Sequence, residues 1–106
     1  MRGKIGLFLV GPLVLVSSAA LAGEVMVQVG HNKLDPAEVE VAVGTTVVFH
    51  NQDQMPGGHS IVADDGSFQS PGLAKDESWS HTFGESGVYT YSIKEHPSAK
   101  GKIVVE

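Results

Sequence analysis

Residues 87–105 read Gly-Val-Tyr-Thr-Tyr-Ser-Ile-Lys-Glu-His-Pro-Ser-Ala-Lys-Gly-Lys-Ile-Val-Val, and this stretch constrains the fold more than any other. Tyr89, Tyr91 and Ile93 share one face of a strand, because side chains alternate with period two. A tight loop is expected next, presenting His96 and fixed by Pro97, with Gly101 turning the chain into a closing strand that carries Ile103 and Val105. Two strands holding an imidazole at the end of a short loop form a rigid support for a metal ligand. A hairpin with a surface histidine fits these residues equally well.

The same alternation recurs upstream. Val25, Val27 and Val29 share one face of a strand over Glu24 to Gly30. His31-Asn32-Lys33 reads as a polar turn. Ala37 to Val43 places Val39, Val41 and Val43 inward and Glu38 and Glu40 outward. Thr46 to His50 begins apolar on both faces, as a central strand would. Asn51 to Gly58 is a loop by composition, and His59 to Val62 resumes strand character. Residues 64–77 form the longest expected unstructured stretch. Within it, Asp64-Asp65 reads as a solvated turn rather than a site for a hard cation. Ser78 to Phe83 places Trp79, His81 and Phe83 on one face, with His81 a packing or surface histidine. Short strands with regular turns and one long connection predict an all-β, Greek-key β-sandwich of about seven to eight strands.

The first 22 residues stand apart. Arg2 and Lys4 precede an apolar run from Ile5 to Val16, and Ala20-Leu21-Ala22 is a small-x-small cleavage site. This is the pattern of a secretory signal peptide; the apolar run falls short of the roughly 20 residues that a spanning helix needs. The expected organisation is a leader over residues 1–22 and one domain over residues 23–106, exported to the periplasm or secreted, with no membrane contact after cleavage. The formal charge is −5; the leader holds +2 of it in Arg2 and Lys4, which leaves −7 on the domain. A chain this acidic is a poor match for nucleic acid, which attracts clustered Lys and Arg. The sequence contains no cysteine, so neither a disulfide nor a thiolate metal site can form.

The order of motifs matches a known family. Val41-x-Val43-Gly44-Thr45-Thr46-Val47-Val48-Phe49-x-Asn51 comes first, then Met55-Pro56, then His59. Gly87-x-Tyr89-x-Tyr91, His96-Pro97 and Gly101-x-Ile103-x-Val105 follow. In this order the chain resembles the cupredoxins, in particular their amicyanin, plastocyanin and pseudoazurin branches, across essentially all of residues 23–106. The resemblance implies a single copper ion held by two histidines, a cysteine and a methionine. Carried over by position, the histidines are His59 and His96, the cysteine position is Ile93, and the methionine position is Ala99. Two ligand positions are therefore lost. A blue-copper centre needs the thiolate, so the resemblance cannot extend to that centre.

Two imidazoles with carboxylate or water suit Cu(II) in a tetragonal N/O site. Four residues are candidates to complete it. Glu95 adjoins His96. Met55 offers a thioether, although a hydrophobic cap over the loop is the preferred reading. His31 and His50 each read first as solvated histidines at strand ends, and second as replacements for a lost ligand. No nucleophile elbow or ordered triad appears, so a binding protein is expected rather than an enzyme. Three functions fit: a copper-handling protein with a non-blue, histidine-based site; an electron carrier using an altered site; and a metal-free module that binds another protein. The expected partner is a redox or copper-trafficking protein, and the expected state is a monomer.

Overall fold

The computed structural model describes residues 23–54 and 57–106. The expected leader, residues 1–22, and Met55 lie outside the described residues. Eight strands form two four-stranded sheets. The first sheet runs β2 (Lys33–Asp35), β1 (Glu24–Gly30), β4 (Thr46–Asn51), β6 (Ser78–Thr82). The second runs β3 (Glu38–Val41), β8 (His96–Val105), β7 (Gly87–Ile93), β5 (Ile61–Ala63). β1 pairs parallel with β4 and β3 parallel with β8; the remaining neighbours are antiparallel. Among the described residues no helix is long and apolar enough to cross a membrane.

The inner faces of the two sheets form one core. Val27, Val29, Val47 and Phe49 come from the first sheet, and Ile61, Tyr91, Ile93, Ile103 and Val105 from the second. Strand alternation places these residues inward. β4 does take a central position, but it buries one face only: Val47, Phe49 and Asn51 point in, while Val48 and His50 are half-exposed.

Four details depart from the sequence reading. The polar turn is shorter than expected. His31 and Asn32 alone make it, with Asn32 at φ 56°, a conformation that Asn tolerates. Lys33 already belongs to β2, opposite Gly30. A three-residue strand is too short to show a period. Val43 does not face inward; β3 ends at Val41, and Val43 is 46% exposed.

Residues 64–77 are not structureless. Phe68 and Leu73 are buried in the core. Isolated bridges join Val62 to Gln69 and His59 to Leu73, and Ser70 N–H donates to the Ile61 carbonyl at 2.8 Å. The connection thus lies along β5 and closes that edge of the second sheet. Asp65 lies in the expected solvated turn, accepting from Ser67 N–H at 2.9 Å.

Finally, Gly101 does not turn the chain. It lies buried inside β8, paired with Tyr91, and β8 begins at His96 itself. The reversal needs only Lys94 and Glu95, so His96 is anchored by strand pairing opposite Ile93 rather than carried on a free loop.

Candidate metal centre

Three chain segments meet at one end of the sandwich. His59 precedes β5 and is fixed by two backbone hydrogen bonds with Leu73: His59 N–H donates to the Leu73 carbonyl at 3.0 Å, and Leu73 N–H returns one at 2.8 Å. His96 opens β8. His31 sits at the tip of the β1–β2 turn. The His59 and His96 rings lie 5.2 Å apart between centroids, and those of His31 and His96 4.6 Å, both edge-on.

Their exposure differs sharply. His59 is 4% exposed, His96 is half-buried, and the His31 side chain is 60% exposed. The centre is therefore open on the His31 side and closed behind His59.

Asp53 organises the buried side. Its Oδ2 accepts from His59 Nε2 at 2.8 Å and from His31 Nδ1 at 3.2 Å. An ionised carboxylate only accepts, so the neutral His59 ring carries its proton on Nε2 and presents the Nδ1 lone pair. That Nδ1 is buried and has no hydrogen-bond partner. Leaving such an atom unpaired costs roughly 1–3 kcal/mol, unless it has another use. A carboxylate that fixes the tautomer of an imidazole whose other nitrogen is free is the usual support of a metal-bound histidine. Neither ring nitrogen of His96 makes a hydrogen bond among the described residues.

Asn51 holds Asp53 in place. Its side-chain amide donates to the Leu73 carbonyl at 2.8 Å, and its Oδ1 accepts from Asp53 N–H at 3.0 Å. Its backbone donates to the Glu77 carbonyl and accepts from Asp76 N–H. Asn51 thereby ties the end of β4, the Asp53 loop and the long connection together in a fully buried position. Asn51→Ala leaves the Leu73 carbonyl and Asp53 N–H without these partners, and is expected to destabilise the domain by about 2–4 kcal/mol. The check is a lowered urea midpoint at unchanged m-value.

The other candidates are placed elsewhere. His50 lies on the outer face of the first sheet, and its Nδ1 bonds Gln28 Oε1 at 2.9 Å. Strand alternation sends its side chain away from the face that Phe49 and Asn51 share. Glu95 lies beside the centre but is turned to Ser60, accepting from its N–H at 2.7 Å and its hydroxyl at 3.0 Å. Burial acts to raise the Glu95 pKa, but hydrogen bonds from Ser60 and its own backbone, with the nearby His59, outweigh it and hold the carboxyl below its ordinary value. His81 packs against Phe68 at 5.0 Å and Phe83 at 4.8 Å, and burial lowers its pKa. Ile93 and Ala99, where the resemblance implies the other two ligands, are both buried: Ile93 entirely, and Ala99 almost so.

Sequence reasoning passed over Asp53 and Asn51, reading both as loop. The available signal was an Asn-x-Asp step directly after a strand. There the first side chain accepts from the second residue's N–H, the turn-forming habit of Asn, and so aims the carboxylate.

A copper ion fits this donor set in part. The orphaned Nδ1 of His59 and the adjoining His96 suit imidazole coordination, whereas no residue can supply the thiolate of a blue centre. Among the described residues, no three His, Asp or Glu side chains already converge as a metal-holding group.

Comparison with known proteins agrees with the fold. The family model described as a cupredoxin-like domain matches residues 6–105. Amicyanin of Paracoccus denitrificans is 34% identical over 87 residues, which cover 79% of this chain and 66% of that protein. Amicyanin-alpha of Methylorubrum extorquens is 30% identical, over 82% of this chain and 76% of that one. Among solved structures, the Cu(I) form of a methionine-to-alanine variant of amicyanin superposes with a TM-score of 0.67 at 35% identity, covering 77% of this chain and 81% of the other. The purple cupredoxin from Nitrosopumilus maritimus gives 0.69 at 29% identity, covering 77% and 99%.

Proposed function

This chain belongs to the cupredoxin-like family, and from that premise we propose that it binds a single copper ion, as Cu(II), at a non-blue centre held by His59 and His96. Its role would be copper handling in the periplasm or outside the cell, as a monomer that meets a redox or copper-trafficking protein. One observation carries the reading: His59 Nδ1 is buried and unpartnered while Asp53 holds the opposite nitrogen. Family membership alone would not select this atom.

The residues divide the work. Asp53 sets the His59 tautomer and raises the basicity of the ring. Leu73 fixes the His59 backbone. β-pairing to Ile93 fixes His96. Glu95 braces Ser60, next to His59. Ile93 and Ala99 put buried apolar side chains where the resemblance implies the other two ligands. Bound copper would supply a redox-active ion with N/O coordination, which lacks the thiolate on which the family's fast-exchanging blue centres depend.

The amicyanin relatives favour a second reading, electron carriage at an altered site. Voltammetry of the copper-loaded protein separates the two, because a carrier needs a reversible couple and a copper-handling protein does not.

The central test is a Cu(II) titration of residues 23–106 followed by electron paramagnetic resonance. One equivalent is expected to give a tetragonal signal with nitrogen couplings. His59→Ala and His96→Ala are each expected to abolish stoichiometric binding. Copper uptake no stronger than that of the urea-unfolded chain would refute the reading and turn attention to a metal-free, protein-binding role.

A further inference from the structure

We propose that His31 is the third copper ligand, so that the ion is held by His31, His59 and His96, with one Asp53 oxygen orienting two of the three rings. This rests on the copper reading above and deepens it.

The chain brings His31 to the centre by construction. The β1–β2 turn is only His31 and Asn32, and its tip is tied across to the start of β8, where the Ser98 hydroxyl donates to Asn32 Oδ1 at 2.8 Å. That bond lies two residues from His96. The His31 ring consequently sits closer to His96 than His59 does, 4.6 Å against 5.2 Å. Two imidazoles on one ion, with nitrogens about 2.0–2.1 Å from it, have ring centres about 4.5–5.5 Å apart. Both observed separations fall in that range.

Asp53 gives the pair complementary tautomers. Its Oδ2 accepts a proton from His31 Nδ1 and another from His59 Nε2. The lone pairs then remain on His31 Nε2 and His59 Nδ1, two nitrogens that a carboxylate in this position leaves available for a metal. The His59 nitrogen is the buried, unpartnered one. The His31 ring must turn to bring its donor in, since no three donors already converge. Its 60% exposed side chain leaves room for that rotation. Neither His50, bound to Gln28 on the outer face, nor Glu95, committed to Ser60, competes for the position. Three imidazoles and an open coordination position suit Cu(II) without a thiolate.

The test uses Cu(II) alone on residues 23–106, with affinity from competition titration, nitrogen count from pulsed electron paramagnetic resonance, and circular dichroism to verify folding. Two variants separate a ligand from a neighbour. His31→Ala removes the whole ring. His31→Asn keeps an N–H able to reach Asp53 but has no second nitrogen to bind metal. A ligand role predicts that both variants lose one coupled nitrogen and weaken binding by more than the ~10–100-fold that follows loss of an outer-shell partner. If His31→Asn keeps wild-type affinity and nitrogen count while His96→Ala binds nothing, His31 is not a ligand and the copper reading stands. If His96→Ala also binds as wild type does, the copper reading fails and this proposal falls with it.

Discussion

Ile93→Cys is expected to convert the copper-loaded protein from faintly coloured to intensely coloured, by placing a thiolate on the metal. Ile93 pairs with His96 on β8 and with Ile61 on β5, two residues beyond His59. Its side chain is fully buried, and a cysteine there would be dry and held on a paired strand, as a thiolate ligand requires. Thiolate with two imidazoles is the donor set of a trigonal blue centre. Visible absorption would show a strong sulfur-to-copper charge-transfer band, and the paramagnetic signal would change from tetragonal to the narrow copper splitting of that geometry. Adding Ala99→Met is expected to shift the band without being needed for it, because the axial thioether tunes such centres rather than forming them. The substitution carries a structural penalty: removing buried carbon from Ile93 should destabilise the apo domain by about 1–3 kcal/mol. His96→Ala in the same background should leave the protein colourless. A variant that binds copper with an unchanged tetragonal signal and no charge-transfer band would mean that residue 93 does not face the metal.

Much of the strand framework around residue 93 was legible in the sequence. Period-two alternation from Val25 to Val29 and from Tyr89 to Ile93 gave the strands and their inward faces. The resemblance to the cupredoxins, and not the strand pattern, is what implies a ligand position at Ile93. Burial of an alternating strand is a local property, and the sequence displays it directly. What stayed hidden is long-range. Phe68 and Leu73 lie in a stretch rich in Gly, Ser, Pro and Asp, whose composition describes the backbone's freedom and not where two isolated apolar side chains dock. Asp53 gains its role only when the Asn51 turn points it at a histidine six residues later. His31 and His50 looked alike in sequence, each a histidine at a strand end. A two-residue turn aims one at His96, and strand alternation aims the other at the outer face.

Gly101 shows the same limit, and its substitution should cost the domain a large part of its stability. In sequence, a glycine between two lysines reads as a turn. In the fold it is a buried β8 residue facing Tyr91 across the β7–β8 ladder. A Cβ built on Gly101 falls within the Tyr91 ring, against its Cε1, Cζ and hydroxyl. The glycine is needed for this close approach, with the aromatic ring covering the bare backbone. The ring has little room to retreat. Tyr91 is 1% exposed, Phe49 meets it edge-on at 5.3 Å, and Phe68 lies behind it at 6.2 Å. Gly101→Ala therefore forces overpacking, for which about 3 kcal/mol is the expected scale at a site unable to relax. In a domain of this size each kcal/mol moves the melting midpoint by roughly 4–8 °C, so a fall of roughly 12–24 °C is expected by calorimetry. Tyr91→Leu should destabilise the domain through lost packing. In combination, however, the smaller side chain makes room for the added methyl, and the double variant should be more stable than the two separate losses predict. A Gly101→Ala protein that melts with the wild type would show that the ring and the strand can part freely. The strand that anchors His96 would then be far less constrained than the β7–β8 pairing requires.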